Sequence, residues 1–179
     1  MQIQRFPVKN NRTLVIREAV VEDAAAVLDY VNGVSGESDY LTFGPGEFEH
    51  TLAEEEQFLR NFHESYNQIM LLGLLDDEIA SVLSFSAGRR ARVRHFGEFG
   101  LSVRKTYWGL GIGALMLDAL IAWARDTSIV KKINLSVRTD NQRAIALYER
   151  KGFAIEGMIR RAIYMDGRYY HNYWMGLEL

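Results

Sequence analysis

The sequence predicts an α/β (α+β) fold built as a single domain over 1–179, and three observations carry that expectation. Short segments with an apolar–polar period of two alternate with longer ones whose apolar residues recur every three or four positions. Asp76-Asp77 and Asp166-Gly167 each lie between two strand-like runs and read as hairpin turns, which makes the flanking strands antiparallel. A chain of 179 residues, 48% hydrophobic and 25% charged, suits one globular unit with one sizeable core.

The elements follow in order. A first strand is expected over 12–17, where Leu14 and Ile16 alternate with Val15 and Arg17. Val21-Glu22-Asp23 opens a helix with Ala24, Val27, Leu28 and Val31 on its apolar face. Residues 32–46 form a loop rich in Gly, Ser and Asp, long enough to carry binding residues. Thr51 and Glu54 have capping-box spacing, so a second helix begins there, with Glu54, Glu55 and Glu56 as a solvated first turn. Strands over 69–75 and 79–87 flank Asp76-Asp77. Beyond Gly88, the alternation of Arg90, Arg92 and Arg94 would put all three on one face of a strand. That stripe is either a clamp for acidic groups or solvated, edge-protecting charge.

A central strand spans 96–103, and Gly97 and Gly100 inside it imply a bulge or a close backbone approach. The segment 110–124 is apolar on nearly every side, as a helix packed between layers must be. In 131–137 Ile133, Leu135 and Val137 alternate with Lys132, Asn134 and Ser136, giving the next strand. Asp140 or Asn141 can cap a helix whose Ala144, Leu147 and Tyr148 share a face and whose C′ residue is Gly152. Strands over 153–165 and 169–177 complete the chain. Tyr169, Tyr170, Tyr173 and Trp174 either line a pocket or pack across strands.

Several function classes are disfavoured. A net charge of -2 gives no bulk attraction for nucleic acid. With no cysteine there is no disulfide, thiol nucleophile or thiolate metal site, and His50, His63, His95 and His171 lack metal-ligand spacing. No apolar run approaches the ~18 residues of a membrane span, and the N-terminus lacks a signal-peptide core, so a cytoplasmic protein without membrane contact is expected.

The chemistry concentrates at 99–114, where a strand meets a short polar turn, then Gly109-Leu110-Gly111-Ile112-Gly113, then a helix. Free N–H groups and the dipole at a helix start attract anions, and glycines let a phosphate approach the backbone. The spacing is not Gly-x-Gly-x-x-Gly, and no Gly-Lys-Ser/Thr exists. It resembles the coenzyme A pyrophosphate loop of the GNAT superfamily of N-acetyltransferases, with Gly111 and Gly113 at the two glycine positions and Trp108 where Gln or Arg is usual. The segment from Asn141 to Phe153, with Leu147-Tyr148 and Gly152-Phe153, resembles the superfamily's second signature, about 30 residues further on.

That resemblance implies a central mixed, mostly antiparallel sheet of about seven strands splayed at its middle and flanked by about four helices. It implies acetyl-CoA as acetyl donor, held by Leu101, Ser102 and Val103 main-chain groups, by Trp108, Gly109, Gly111, Ile112, Gly113 and Ala114, and by Asn141, Ala144 and Tyr148. A main-chain N–H near Leu101 to Val103 would steady the oxyanion of the tetrahedral intermediate. Acetyl transfer to an amine needs a base to free the lone pair and an acid for the departing thiolate. Glu98, on the strand before the loop, is the expected base, directly or through a water; an ion-paired glutamate is the other reading. Tyr148 is the expected acid, or else a core phenol. The absence of cysteine leaves direct transfer in a ternary complex.

For the acceptor, Glu37, Ser38 and Asp39 favour a small cationic amine. A protein N-terminus or lysine, and a non-catalytic acyl-CoA-binding module, are the alternatives. Oligomeric state, including a homodimer, stays open.

Overall fold

The structure, a computed structural model, describes residues 2–179. Eight strands form one sheet in the order β1-β2-β3-β4-β5-β6-β8-β7. They are β1 (Gln4–Val8), β2 (Arg12–Glu18), β3 (Gln68–Leu75), β4 (Glu78–Ala87), β5 (Phe96–Val103), β6 (Lys132–Arg138), β7 (Ala154–Met165) and β8 (Arg168–Glu178). The helices are α1 (Ala24–Ser35), α2 (Leu52–His63), α3 (Ile112–Asp126) and α4 (Gln142–Arg150). Every strand pair is antiparallel except β5 with β6.

Period two sorts β3 between two cores. Ile69, Leu71 and Leu75 join α3 and α4 on one face of the sheet, where Met116, Leu117 and Leu120 are fully buried. Met70 and Leu72 join Ala24 and Val27 of α1 and Leu59 and Phe62 of α2 on the other. A strand covered on both sides reads as a continuous apolar run, and Ile69–Leu72 does. The turns hold as read: Asp76 and Asp77 have φ of 54° and 65°, and Asp166 and Gly167 have 52° and 77°, the left-handed pair that a tight hairpin requires.

Four expectations are corrected. The sheet has an eighth strand, β1, where Pro7 weakened the strand signal; an edge strand tolerates a proline because one side of its backbone needs no partner. Helix α1 continues to Ser35, so the connecting loop is 36–51 rather than 32–46. The capping box forms, with Thr51 N–H donating to Glu54 Oε2 at 2.8 Å, yet Glu55 is not solvated: it shares a face with Leu59 and Phe62, is 1% exposed and meets His50 Nδ1 at 3.0 Å. Finally, Arg90, Arg92 and Arg94 lie in a loop, not a strand. Buried Asn67 donates through Nδ2 to both Gly88 O (3.0 Å) and Arg94 O (3.1 Å), drawing the ends of that segment together. Val93 N–H to Arg90 O at 2.9 Å then closes a turn.

Candidate active site

Strand β5 carries Glu98, Leu101, Ser102 and Val103. Its antiparallel pairing with β4 runs from Gly97 to Val103, but its parallel pairing with β6 stops at Glu98, opposite Asn134. Strand β6 goes on to Arg138 alongside β8, so β5 and β6 part beyond that point. Arg104 N–H reaches Ala80 O on β4, at 2.9 Å; by strand alternation the even residues of β5 turn their main chain to β4 and the odd ones toward the gap. Leu101 and the N–H of Val103 therefore face the gap without a strand partner. Ser102 is held the other way: its carbonyl accepts from Ser81 Oγ at 2.7 Å and its Oγ lies 3.0 Å from the Tyr30 hydroxyl.

The glycine loop closes one end of this gap. Trp108 folds back so that its indole N–H donates to Val103 O at 2.7 Å, and the Arg143 guanidinium lies 5.4 Å from its ring centre. Gly109 and Gly111 have φ of 82° and 84°, where a side chain is strained. A Cβ at either would meet nothing within 4 Å, so packing does not demand glycine there; the space in front of the backbone is open. Gly111 O accepts from Ala114 N–H, while the N–H groups of Ile112 and Gly113 begin α3 without intrahelical partners. Gly113 faces Leu147, Leu101 and Val103, which brings the start of α3 against α4 and the end of β5. These positions fit a pyrophosphate and the arm attached to it.

Helix α4 supplies the remaining predicted residues. Asn141 caps it, accepting from Ala144 N–H at 3.2 Å. Ala144 is packed against the core beside Leu147. Tyr148 is 9% exposed, edge-on to Phe99 and Phe153 with ring centres 5.8 and 6.0 Å away. Burial pushes its phenol up to about 12, and its hydroxyl has no hydrogen-bond partner among the described residues. The phenol is thus a proton holder at neutral pH.

Glu98 projects from the opposite face of β5. It lines a hollow of 360 Å³ with Ser86, Val93, Phe96, Asn134 and Trp174. The walls strip part of its hydration, which raises the carboxyl above its ordinary value, and it has no ion pair among the described residues. Tyr148 and the glycine loop therefore lie on the α3 and α4 face, Glu98 on the face that carries α1 and α2, and β5 parts from β6 just beyond Glu98.

Other residues separate. Glu37 does not offer charge to an amine: its carboxylate accepts from Lys105 N–H at 2.6 Å and pairs with Arg104 at 3.6 Å. Tyr170 stacks 3.8 Å from the Arg138 guanidinium, Trp174 lines the hollow, Tyr173 packs on the core and Tyr169 stacks on Tyr164 at the sheet edge. His171 Nδ1 accepts from Arg161 N–H at 2.9 Å. Sequence reading assigned no role to Asn134 or Arg138; the signal available was a run of polar residues, Asn134, Ser136 and Arg138, on one face of an interior strand. No helix is long and apolar enough to cross a membrane, and no cluster of metal-ligating side chains occurs, among the described residues.

Comparison with known proteins agrees with this geometry. A GNAT-family acetyltransferase from Streptococcus pneumoniae superposes with a TM-score of 0.90 at 38% identity, covering 93% of this chain and 99% of that one. The L-amino acid N-acetyltransferase of Escherichia coli is 28% identical over 105 residues, 59% of this chain and 65% of that relative, so the match spans less than two thirds of its length. Ribosomal-protein-alanine N-acetyltransferase from Brucella melitensis shares the fold (TM-score 0.79, 24% identity, 92% of this chain and 99% of that one). So does a phosphinothricin acetyltransferase from Sinorhizobium meliloti in complex with acetyl-CoA (TM-score 0.80, 16% identity, 97% and 89%). The model of the acetyltransferase (GNAT) family matches residues 37–153, and the chain belongs to that family.

Proposed function

We propose that the protein is an acetyl-CoA-dependent N-acetyltransferase that moves an acetyl group to the primary amine of a small molecule by direct transfer in a ternary complex. The observation that carries this is the parting of β5 from β6 between a glycine loop on one face and Glu98 on the other. The L-amino acid N-acetyltransferase relative makes an amino acid the first acceptor to try.

When bound, acetyl-CoA supplies a thioester whose carbonyl carbon accepts the amine. The Gly109–Ala114 turn would hold the pyrophosphate through unpaired N–H groups at the start of α3. Trp108, Asn141 and Ala144 would shape the wall beside it. Leu101 and Val103 would receive the arm along the free edge of β5, and an N–H there would face the charge that develops on the carbonyl oxygen, with Ser102 as a spacer turned to β4. Glu98 would take the proton from the acceptor ammonium, directly or through a water, a role for which a raised carboxyl is better matched than an ordinary one. Tyr148 would give its proton to the departing thiolate; a phenol kept protonated by burial can do so at neutral pH.

Thiol release from acetyl-CoA, measured against a panel of amino acids, polyamines and peptides, tests the reading. Transfer to at least one small amine is expected, with Tyr148→Phe binding coenzyme normally but turning over at least tenfold more slowly. Wild-type turnover by Tyr148→Phe removes the acid role. Coenzyme binding with no acceptor turned over identifies a binding module, and transfer to peptides alone identifies a protein-modifying enzyme.

A further inference from the structure

Asn134 is 3% exposed and lies opposite Glu98 at the last paired position of β5 and β6. Its Oδ1 is sealed from solvent without a donor, and its Nδ2, which is not sealed, has no acceptor among the described residues and is the atom left to meet a ligand. An unpaired buried carboxamide destabilises a fold, and a leucine would fill the space without that cost. Stability does not account for an asparagine here, whereas its position in the wall of the Glu98 hollow does.

A second observation concerns charge. Gly88 and Val93 line the same hollow and belong to the loop that Asn67 clamps. That loop carries Arg89, Arg90, Arg92 and Arg94, all exposed, and none forms an ion pair among the described residues. Glu98 is the one acid among the described residues that line the hollow. The loop that borders the hollow thus carries four exposed cations, none of them in its lining.

Resting on the acetyltransferase reading above, we propose that the acceptor carries a carboxylate next to its amine, recognised by the Asn134 carboxamide as hydrogen-bond donor and by the arginine loop as a field. The amine faces Glu98 while its carboxylate faces Asn134 and the loop. Each group of an α-amino acid then meets a partner of the opposite kind, and amines lacking the carboxylate meet the arginines with nothing to offer them.

The test compares the standard L-amino acids with their amides, by turnover and by calorimetric binding to protein saturated with CoA. The best amino acid is expected to exceed its amide at least tenfold in kcat/KM and in affinity. Asn134→Leu should cut that preference to threefold or less through KM, with acetyl-CoA affinity unchanged and a melting temperature equal to or above wild type. A double Arg90→Ser, Arg92→Ser variant, placed on the surface, should lower the same preference and its salt dependence. Binding preference without turnover supports the carboxylate assignment while sinking the enzymatic one. Equal binding of acid and amide, no binding of either, or a preference that survives in Asn134→Leu overturns it.

Discussion

In the function proposed above, one cause, loss of water, would suit Glu98 and Tyr148 to opposite tasks. Loss of water favours the neutral form of both acids: partial desolvation in the hollow raises the exposed Glu98 carboxyl, and burial pushes the Tyr148 phenol to about 12. Glu98→Gln should reduce kcat roughly 10²–10⁴-fold, the usual worth of a positioned general base, with acetyl-CoA affinity unchanged. Wild-type kcat/KM should fall as pH drops through the raised Glu98 value, and that limb should vanish in the variant. Stability carries an independent sign. A carboxyl with a raised folded-state value stabilises the fold only below its unfolded value of about 4.3, and that gain is lost as pH rises through the folded value. Glu98→Gln should therefore gain stability over wild type as pH increases, and melting curves that diverge in the other direction contradict a raised Glu98.

Among the elements, the loop 36–51 is held near Asp39 and Tyr40 by one side chain from β6. Arg138, 6% exposed, donates to Asp39 O at 2.8 Å and forks onto Asp140 at 3.0 and 2.6 Å, with Tyr40 and Tyr170 on its guanidinium at 4.9 and 3.8 Å. Asp140 holds Arg138 well protonated, and Arg138 in turn lowers Asp140. Hydrogen bonds from a charged group contribute about 1.5–3 kcal/mol. Arg138→Met should free the loop more than it weakens the core. Amide exchange should accelerate through 38–46, while β3 and β4 stay protected; uniform acceleration would point to global destabilisation instead. At the other end of the loop, Glu55 and His50 form the anchor that a surface reading of three consecutive glutamates could not reveal.

At the scale of the molecule, what the sequence disclosed and what it withheld divide along local and non-local lines. Elements set by neighbours in the chain were legible: the Thr51–Glu54 cap, both hairpin turns, and β5 over its full length. The glycine turn and the Asn141 helix together indicate the family from local sequence alone. Features set by distant partners were not legible. The arginine segment alternates like a strand, but Asn67, more than twenty residues earlier, bends it into a turn. Glu37 reads as an open acid until Arg104 and Lys105 claim it. Which face of β5 holds Glu98, and that Asn134 lies beside it, depends on a parallel register that no local pattern encodes.

On the function proposed above, main-chain amides grip a thioester carrier where β5 gives way to α3. Calorimetry of acetyl-CoA binding to wild type and to Gly111→Val tests it most directly. A side chain at a φ of 84° costs about 1–2 kcal/mol and fills the open space before the backbone. Saturable binding by wild type is expected, with at least a tenfold loss in the variant and the fold retained. No binding by the folded wild type, or equal affinity in Gly111→Val, contradicts it.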